Sequence, residues 1–265
     1  MDFSQLVKEE DFLYIVELEP PKKPVLDEIL EGIKDLNADA FNVVDSPLGI
    51  SLMNPIALCH KIEHKLGTPT IMHFTCRDRN LVEIKADLMA ARALDIKNIL
   101  ALTGDRMHES VKAKPVFEFS SIELIKLIKE INAKRETDFF IGCGANLNAD
   151  LNVEIKRTRN KIEAGAEFVM TQPCYDMRTI EKFVHSIDKP VFIGFLNFYS
   201  KEKAEKLNKL IPGIFPMNIF EEDLDEEYSR MISEIREVGA KGVNIMPFGN
   251  FEKAKLLIQN SSGSS

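Results

Sequence analysis

Eight short runs rich in β-branched and aromatic residues recur along the chain, and their spacing constrains the fold more than any other feature. They read FLYIVEL (12–18), AFNVVD (40–45), PTIMHFT (69–75), NILALTG (98–104), DFFIGCG (138–144), EFVMTQ (167–172), PVFIGFL (190–196) and GVNIMPF (242–248). Between them lie segments with the 3.6-residue apolar spacing of a helix, such as VLDEILEGIKDL, NLVEIKADLMAARAL, SSIELIKLIKEINAK, NVEIKRTRNKIEAGA and DEEYSRMISEIREVG, each charged on its other face. Alternating strands and helices predict a parallel sheet covered by helices. The strand runs are almost continuously apolar, so both faces are buried, and eight such units in 265 residues suit a closed (β/α)8 TIM barrel better than an open doubly wound sheet. A Rossmann-type sheet wants GxGxxG after its first strand, where this chain has LEPPKKP. The nearest lookalike, GCGANL at 142–147, lacks the third glycine and follows the fifth strand.

With 45% apolar and 29% charged residues the chain can bury one large core, so a single domain over 1–260 is expected. The low-complexity end NSSGSS predicts a disordered tail or appended remnant at 261–265. No apolar run approaches the roughly 18–20 residues of a membrane span. The start MDFSQLVKEEDF is acidic where a signal peptide is basic and then apolar, and a cytoplasmic location is the expectation. A net charge of -8 disfavours nucleic acid or an anionic membrane as partner. Cys59, Cys76, Cys143 and Cys174 form no CxxC or His-flanked pair, so reduced thiols and no metal site are expected. Met170, Met217 and Met246 read as core fillers.

Active sites of such barrels gather at the C-terminal ends of the strands. The polar groups expected there are Glu17 and Glu19, Asp45, His73 and Thr75, Asp105, Gly144 with Asn146, Gln172 and Asn197, followed by the apolar Pro247 and Phe248. Glu17 lies inside an apolar strand, where poor solvation would raise its pKa into the range of a general acid; a carboxylate paired with a lysine is the plainer reading. Asp105 ends ALTGD, where Thr103 and Gly104 let backbone approach a planar ligand and the carboxylate could hold donor nitrogens, or could simply cap a turn. His73 suits a ligand contact or a hydrogen-bonded core histidine. Gln172 carries one donor group and one acceptor, fitting a pterin or amide edge, or a turn. Arg157 and Lys161 are four apart on one helix and could share a phosphate, although such pairs are usually just solvated.

On these residues the chain resembles the methylenetetrahydrofolate reductases. HFTCRDRNLVEIKADLMAARALDIKNILALTGD (73–105) is similar to the family's central signature, VELEPP (16–21) to its first-strand Glu-x-x-Pro-Pro motif, RNKIEAGAEFVMTQPCYD (159–176) to its Lys…AGA…TQ…D block and IPGIFP (211–216) to its late Pro-Gly-Ile segment. The resemblance implies a barrel holding FAD, with FMN as the alternative, that passes a hydride from NADH or NADPH to 5,10-methylenetetrahydrofolate. It matches Glu17 to a general acid, Asp105 to a carboxylate binding the pterin near the flavin, and Gln172 to a folate contact. His73, Leu102, Thr103, Gly104, Phe119 and Ser120 fall on flavin-contacting positions and Lys161 near the cofactor's phosphates; Gly144, Asn146 and Arg157 complete the expected cofactor set.

The chain departs from the pattern at Val44, where the family has threonine, at GANLN in the fifth-strand loop, and at Asn160 in place of an arginine. It departs again at GFLNF in the seventh strand and around Lys201, where an apolar residue helps bind nicotinamide elsewhere. These changes bear on flavin affinity and on NAD(P)H use more than on folate chemistry. They leave open a flavin subunit reduced by an electron-donating partner protein, and a flavin-free pterin-binding methyltransferase barrel. A homo-oligomer is common for such barrels, and no segment marks an interface.

Overall fold

The computed structural model describes residues 2–134, 137–210 and 213–262. Its eight strands are β1 (Leu13–Leu18), β2 (Ala40–Val43), β3 (Thr70–Thr75), β4 (Asn98–Leu102), β5 (Phe140–Ala145), β6 (Phe168–Pro173), β7 (Val191–Leu196) and β8 (Gly242–Met246). Every neighbouring pair is parallel, and β1 closes on β8 through the register Leu13↔Gly242 to Val16↔Ile245. The helices are α1 (Phe3–Glu9), α2 (Asp27–Ile33), α3 (Pro55–Leu66), α4 (Leu81–Ala93), α5 (Ser121–Ala133), α6 (Leu151–Ala164), α7 (Met177–Ser186), α8 (Lys201–Leu210), α9 (Leu224–Glu237) and α10 (Phe251–Ser262). This is the (β/α)8 barrel that the strand–helix alternation predicts.

Period-2 alternation divides the strands between two apolar layers. Leu13, Ile15, Ala40, Ile71, Leu100, Phe168, Met170 and Phe192 fill the barrel interior, while Val16, Phe41, Met72, Ile99, Val169, Ile193 and Val243 pack outward under the helices. Burial on both sides explains why the strand runs are continuously apolar. Glycine serves closure where strands crowd: a Cβ on Gly242 would stand 2.1 Å from the Leu13 carbonyl oxygen, and one on Gly142 would stand 2.3 Å from the Phe168 ring.

Five strand-to-helix loops end in side-chain caps, and the connection from α8 into α9 ends in a sixth. Asn54, Asn80, Ser120, Asp150, Asp176 and Asp223 each accept a hydrogen bond from a backbone N–H in the first turn of the following helix. These caps fix the loops that form the C-terminal mouth.

Two elements depart from expectation. Helix α1 was not legible as an element, being seven residues long; it lies across the N-terminal end of the barrel with the Phe3 ring 6.1, 5.5 and 5.7 Å from those of Phe140, Phe168 and Phe192. At the other terminus the tail expected at 261–265 is not seen at its first two residues. Helix α10 includes Ser261 and Ser262, and Ser261 is buried with its hydroxyl donating to the Leu257 carbonyl at 2.6 Å, which absorbs a polar side chain into the helix; residues 263–265 lie outside the described residues, as do Ile211 and Pro212 of the IPGIFP segment. Cys59, Cys76, Cys143 and Cys174 are all buried and free. No helix among the described residues is long and apolar enough to cross a membrane.

Candidate active site

Alternation carries each inward row upward to the mouth: from Ile15 to Glu17, Ala40 to Asn42, Ile71 to His73, Leu100 to Leu102 and Met170 to Gln172. All of these rows but that of β4, which ends in Leu102, thus turn polar at one level of the barrel. Glu17 is half-buried there. Its Oε2 accepts from Asn244 Nδ2 at 3.1 Å and from Asn42 Nδ2 at 3.4 Å, so amides on the flanking strands β8 and β2 hold the same oxygen. Burial pushes the Glu17 carboxyl up to about 7, with the charges of Glu19 and Asp105 adding to the rise and the two amides opposing it. The group therefore carries a proton near neutral pH, as general acid work requires.

His73 sits two strands away, and burial pushes its imidazole down to about 4 against the opposing field of Asp45, so the ring is neutral. Its Nε2 is buried without a hydrogen-bond partner among the described residues, as are Oδ1 of Asn42 and Oδ1 of Asn244. Unpartnered polar atoms inside a fold are costly and cluster where a ligand completes them. Asp45 plays no open role: its Oδ2 accepts from the Thr75 amide and hydroxyl, both at 2.9 Å, and pairs with Arg79 Nη1 at 2.6 Å.

Asp105 reaches the mouth on the exposed loop between β4 and α5, and its Oδ2 accepts from the Leu48 amide at 3.3 Å. Its backbone is held by Arg77, a fully buried guanidinium that sequence reasoning did not single out beyond the RDR of the central signature. Arg77 donates to the carbonyls of Asp105 (3.2 Å) and Ser46 (2.7 Å) and pairs with Asp78, while its own carbonyl accepts from Val116 at 2.7 Å. One side chain thereby ties the loops after β2, β3 and β4 together. Gly104 has φ 97 and leaves only 2.7 Å between a would-be Cβ and that of Arg77, so glycine is required there.

The remaining predicted positions divide. Gln172 projects exposed from β6. Gly144 is flat against β4, its missing Cβ 2.9 Å from Leu102 Cδ2. The Thr103 hydroxyl accepts from the Ser121 amide at 3.2 Å, Ser120 caps α5 in a reciprocal pair with Glu123, and Phe119 packs half-buried on the core, so these three fasten the start of α5 beside the mouth. Arg157 and Lys161 do not act as one clamp: Lys161 is buried with Nζ on the Gly144 carbonyl at 2.7 Å, whereas Arg157 is exposed beside Glu154 at 3.4 Å. Glu154 in turn accepts from the Asn146 amide at 3.1 Å.

Beside Glu17 opens a cleft of about 220 Å³ lined by Glu19, Met246, Pro247, Phe248, Gly249 and Phe251. A hollow of about 270 Å³ lies at the opposite end, near Asp2, Glu63 and Lys97. The smaller cleft is the candidate site, since it holds the perturbed carboxyl and lies at the C-terminal face.

Fold and site together define a single (β/α)8 barrel with a proton-holding carboxyl at its mouth. The chain belongs to the methylenetetrahydrofolate reductase family, whose profile matches residues 2–244. It is 27% identical over 166 residues to a Caenorhabditis elegans protein named probable methylenetetrahydrofolate reductase (NADPH), covering 59% of this chain and 24% of that one. It is 28% identical over 226 residues to methylenetetrahydrofolate reductase 1 of Schizosaccharomyces pombe, covering 75% and 36%. A 5,10-methylenetetrahydrofolate reductase of Buchnera aphidicola is 26% identical over 183 residues, covering 64% and 60%. The chain thus spans well under half the length of the two eukaryotic relatives. Among solved structures, a 2,3-dimethylmalate lyase superposes with a TM-score of 0.63 over 98% of this chain and 84% of the other at 12% identity, a likeness of fold alone.

Proposed function

We propose that the barrel binds 5,10-methylenetetrahydrofolate at its C-terminal mouth and assists its reduction to 5-methyltetrahydrofolate, with a bound flavin reduced by NADH or NADPH. The observation that carries this reading is the Glu17 carboxyl, pushed up to about 7 inside a polar ring of an otherwise apolar barrel. Opening the methylene bridge breaks its bond to N10, and the departing nitrogen needs a proton. Glu17 supplies it and is left as a carboxylate that the Asn42 and Asn244 amides stabilise. The product of that step is an N5 iminium, the electrophilic carbon that reduction requires. Asp105 offers a carboxylate to the donor edge of the pterin, and the exposed Gln172 amide gives it both a donor and an acceptor.

The residues present fit a planar cofactor. His73 Nε2 is an unpartnered buried atom, and Gly144 with Leu102 gives a surface that a side chain at 144 would spoil. His73, Leu102, Thr103, Gly104, Phe119, Ser120, Gly144 and Asn146 would hold FAD or the smaller FMN, with the exposed Arg157 and, on release from the Gly144 carbonyl, Lys161 available to its phosphates. When bound, the flavin carries the hydride chemistry while the protein orients it.

One observation favours an electron-donating partner protein over free nicotinamide nucleotide. Helix α8 begins with exposed Lys201, Glu202 and Lys203, where other members use an apolar side chain. An anaerobic experiment separates the readings: flavin-loaded protein is mixed with NADH or NADPH, bleaching near 450 nm is followed, and methylenetetrahydrofolate is then added. Bleaching and recovery support the self-sufficient reductase. Recovery only after dithionite reduction supports a partner donor, and failure to bind flavin sinks both.

A further inference from the structure

Phe248 occupies a backbone position that a phenylalanine should not take. The Asn250 amide donates to the Pro247 carbonyl at 3.0 Å, closing a turn whose central residues Phe248 and Gly249 have φ 47 and φ 80. Two successive positive φ values make this a type I′ turn, the province of glycine, asparagine and aspartate. The ring is nevertheless 48% exposed at the mouth. A strained backbone that presents an exposed aromatic is a combination stability alone does not select, and such strain gathers at ligand sites.

The ring is also held rigid. It stacks on Phe198 at 5.2 Å and 26°, Phe198 meets Phe215 at 5.5 Å, and Phe215 meets Tyr175 at 5.5 Å. Phe248 is therefore the exposed end of a continuous aromatic row rooted in the core. With Met246, Pro247 and Phe251 it makes the apolar side of the cleft whose other side is Glu17.

We propose that Phe248 is the stacking platform for the p-aminobenzoyl ring of the substrate. The inference rests on the folate reading above and adds the residue that positions the substrate in this chain. Its logic is covalent: N10, which receives the proton from Glu17, is bonded directly to the benzoyl ring. Wherever N10 meets Glu17, that ring is one bond from the protonated nitrogen and must enter the same cleft, where Phe248 is the exposed aromatic. Stacking there directs N10 at the acid and leaves the pterin to Asp105 and Gln172.

Phe248→Asn tests this, because asparagine suits the turn and removes the ring. The platform predicts a KM for methylenetetrahydrofolate raised about tenfold or more with little change in kcat, and a melting temperature unchanged or higher, whereas Phe248→Tyr stays near wild type. Binding is measured with two probes, 5-methyltetrahydrofolate and 5-methyltetrahydropterin, which lacks the benzoyl ring; only the first should weaken in Phe248→Asn. Unchanged folate binding, or a lower melting temperature with intact KM, would make Phe248 a packing residue and overturn the proposal. Equal weakening of both probes would place the ring under the pterin and overturn it too. If the wild-type protein binds neither probe, the folate reading itself fails and the platform falls with it.

Discussion

The two ends of the barrel are built on opposite principles. At the N-terminal end α1 lays Phe3 against Phe140, Phe168 and Phe192, and the plug is apolar surface, fully buried at Phe3, Phe168 and Phe192, with ring contacts of 5.5–6.1 Å. At the C-terminal end the same inward rows finish in Glu17, Asn42, His73 and Asn244. There a carboxyl is held out of its ordinary range, and five polar atoms, one each on Asn42, His73 and Asn244 and two on Asn197, lack partners among the described residues. Backbone strain follows the same division, with Ser46, Leu48, Phe117 and Phe248, four of the five non-glycine residues at positive φ among the described residues, on C-terminal loops. One end lowers the free energy of the fold, and the other holds unpartnered polar groups and strained backbone at a higher level. Substitutions at the two ends should therefore give mirror-image phenotypes.

The largest effect is expected at Glu17. Glu17→Gln keeps the shape and can still hydrogen-bond but cannot give up a proton, so reoxidation of reduced flavin by methylenetetrahydrofolate in stopped flow should slow by about 10²–10⁴-fold. Flavin reduction by its donor should be unaffected. Next comes Phe3→Ala, which empties the plug and should cost about 3–5 kcal/mol in denaturant unfolding. The protein that remains folded should turn over at the wild-type rate. Loss of turnover in folded Phe3→Ala, or loss of stability in Glu17→Gln at pH 8, would erase the contrast between the ends.

A third test uses pH. The folded Glu17 carboxyl is raised from 4.5 to about 7, so its contribution to stability is fully present below the unfolded value and is lost as pH rises through the folded one. Between those limits the wild type should lose up to about 3 kcal/mol that Glu17→Gln keeps. Thermal melts at pH 5 and pH 8 measure it: the variant should equal or trail the wild type at pH 5 and exceed it at pH 8. Parallel curves would mean that the carboxyl is not perturbed.

Much of this division was legible in the sequence, for reasons particular residues make plain. Eight buried strands announce themselves because both faces are apolar, and a lone charge such as Glu17 in FLYIVEL then stands out. His73, Asp105 and Gln172 were found the same way, from their places at strand ends. Asn42 and Asn244 escaped notice because a single neutral amide in AFNVVD or GVNIMPF looks like a minor interruption; their shared oxygen appears only when β8 and β2 close around β1. Arg77 was hidden because its partners Ser46 and Asp105 are far away in the chain, and α1 because three apolar positions within seven residues, Phe3, Leu6 and Val7, are too few to establish a period. Phe248 was placed at a strand end, but β8 stops at Met246 and the ring belongs to the following turn. Arg157 and Lys161, whose spacing allowed a shared phosphate, separate because Lys161 turns inward to the Gly144 carbonyl.

The smallest expected effect separates the polar ring from the carboxyl it surrounds. Asn244→Leu removes the closer of the two donors to Glu17 Oε2, 3.1 Å against 3.4 Å for Asn42, in a site that stays buried. A donor to the ionised form lowers a carboxyl's pKa, so its removal must raise it further above 7. Proton delivery requires the acid form, and the folate half-reaction falls as pH rises through that value. In Asn244→Leu the fall should move to higher pH by about half a unit to one unit, in keeping with the ~1.4 kcal/mol equivalent of one unit and the usual strength of such a bond. The rate on the acid side should stay near wild type. A midpoint that moves downward would mean that the amide supports the neutral acid; a uniform loss of rate with no shift would make Asn244 a packing residue of β8 and leave burial alone to hold the Glu17 proton.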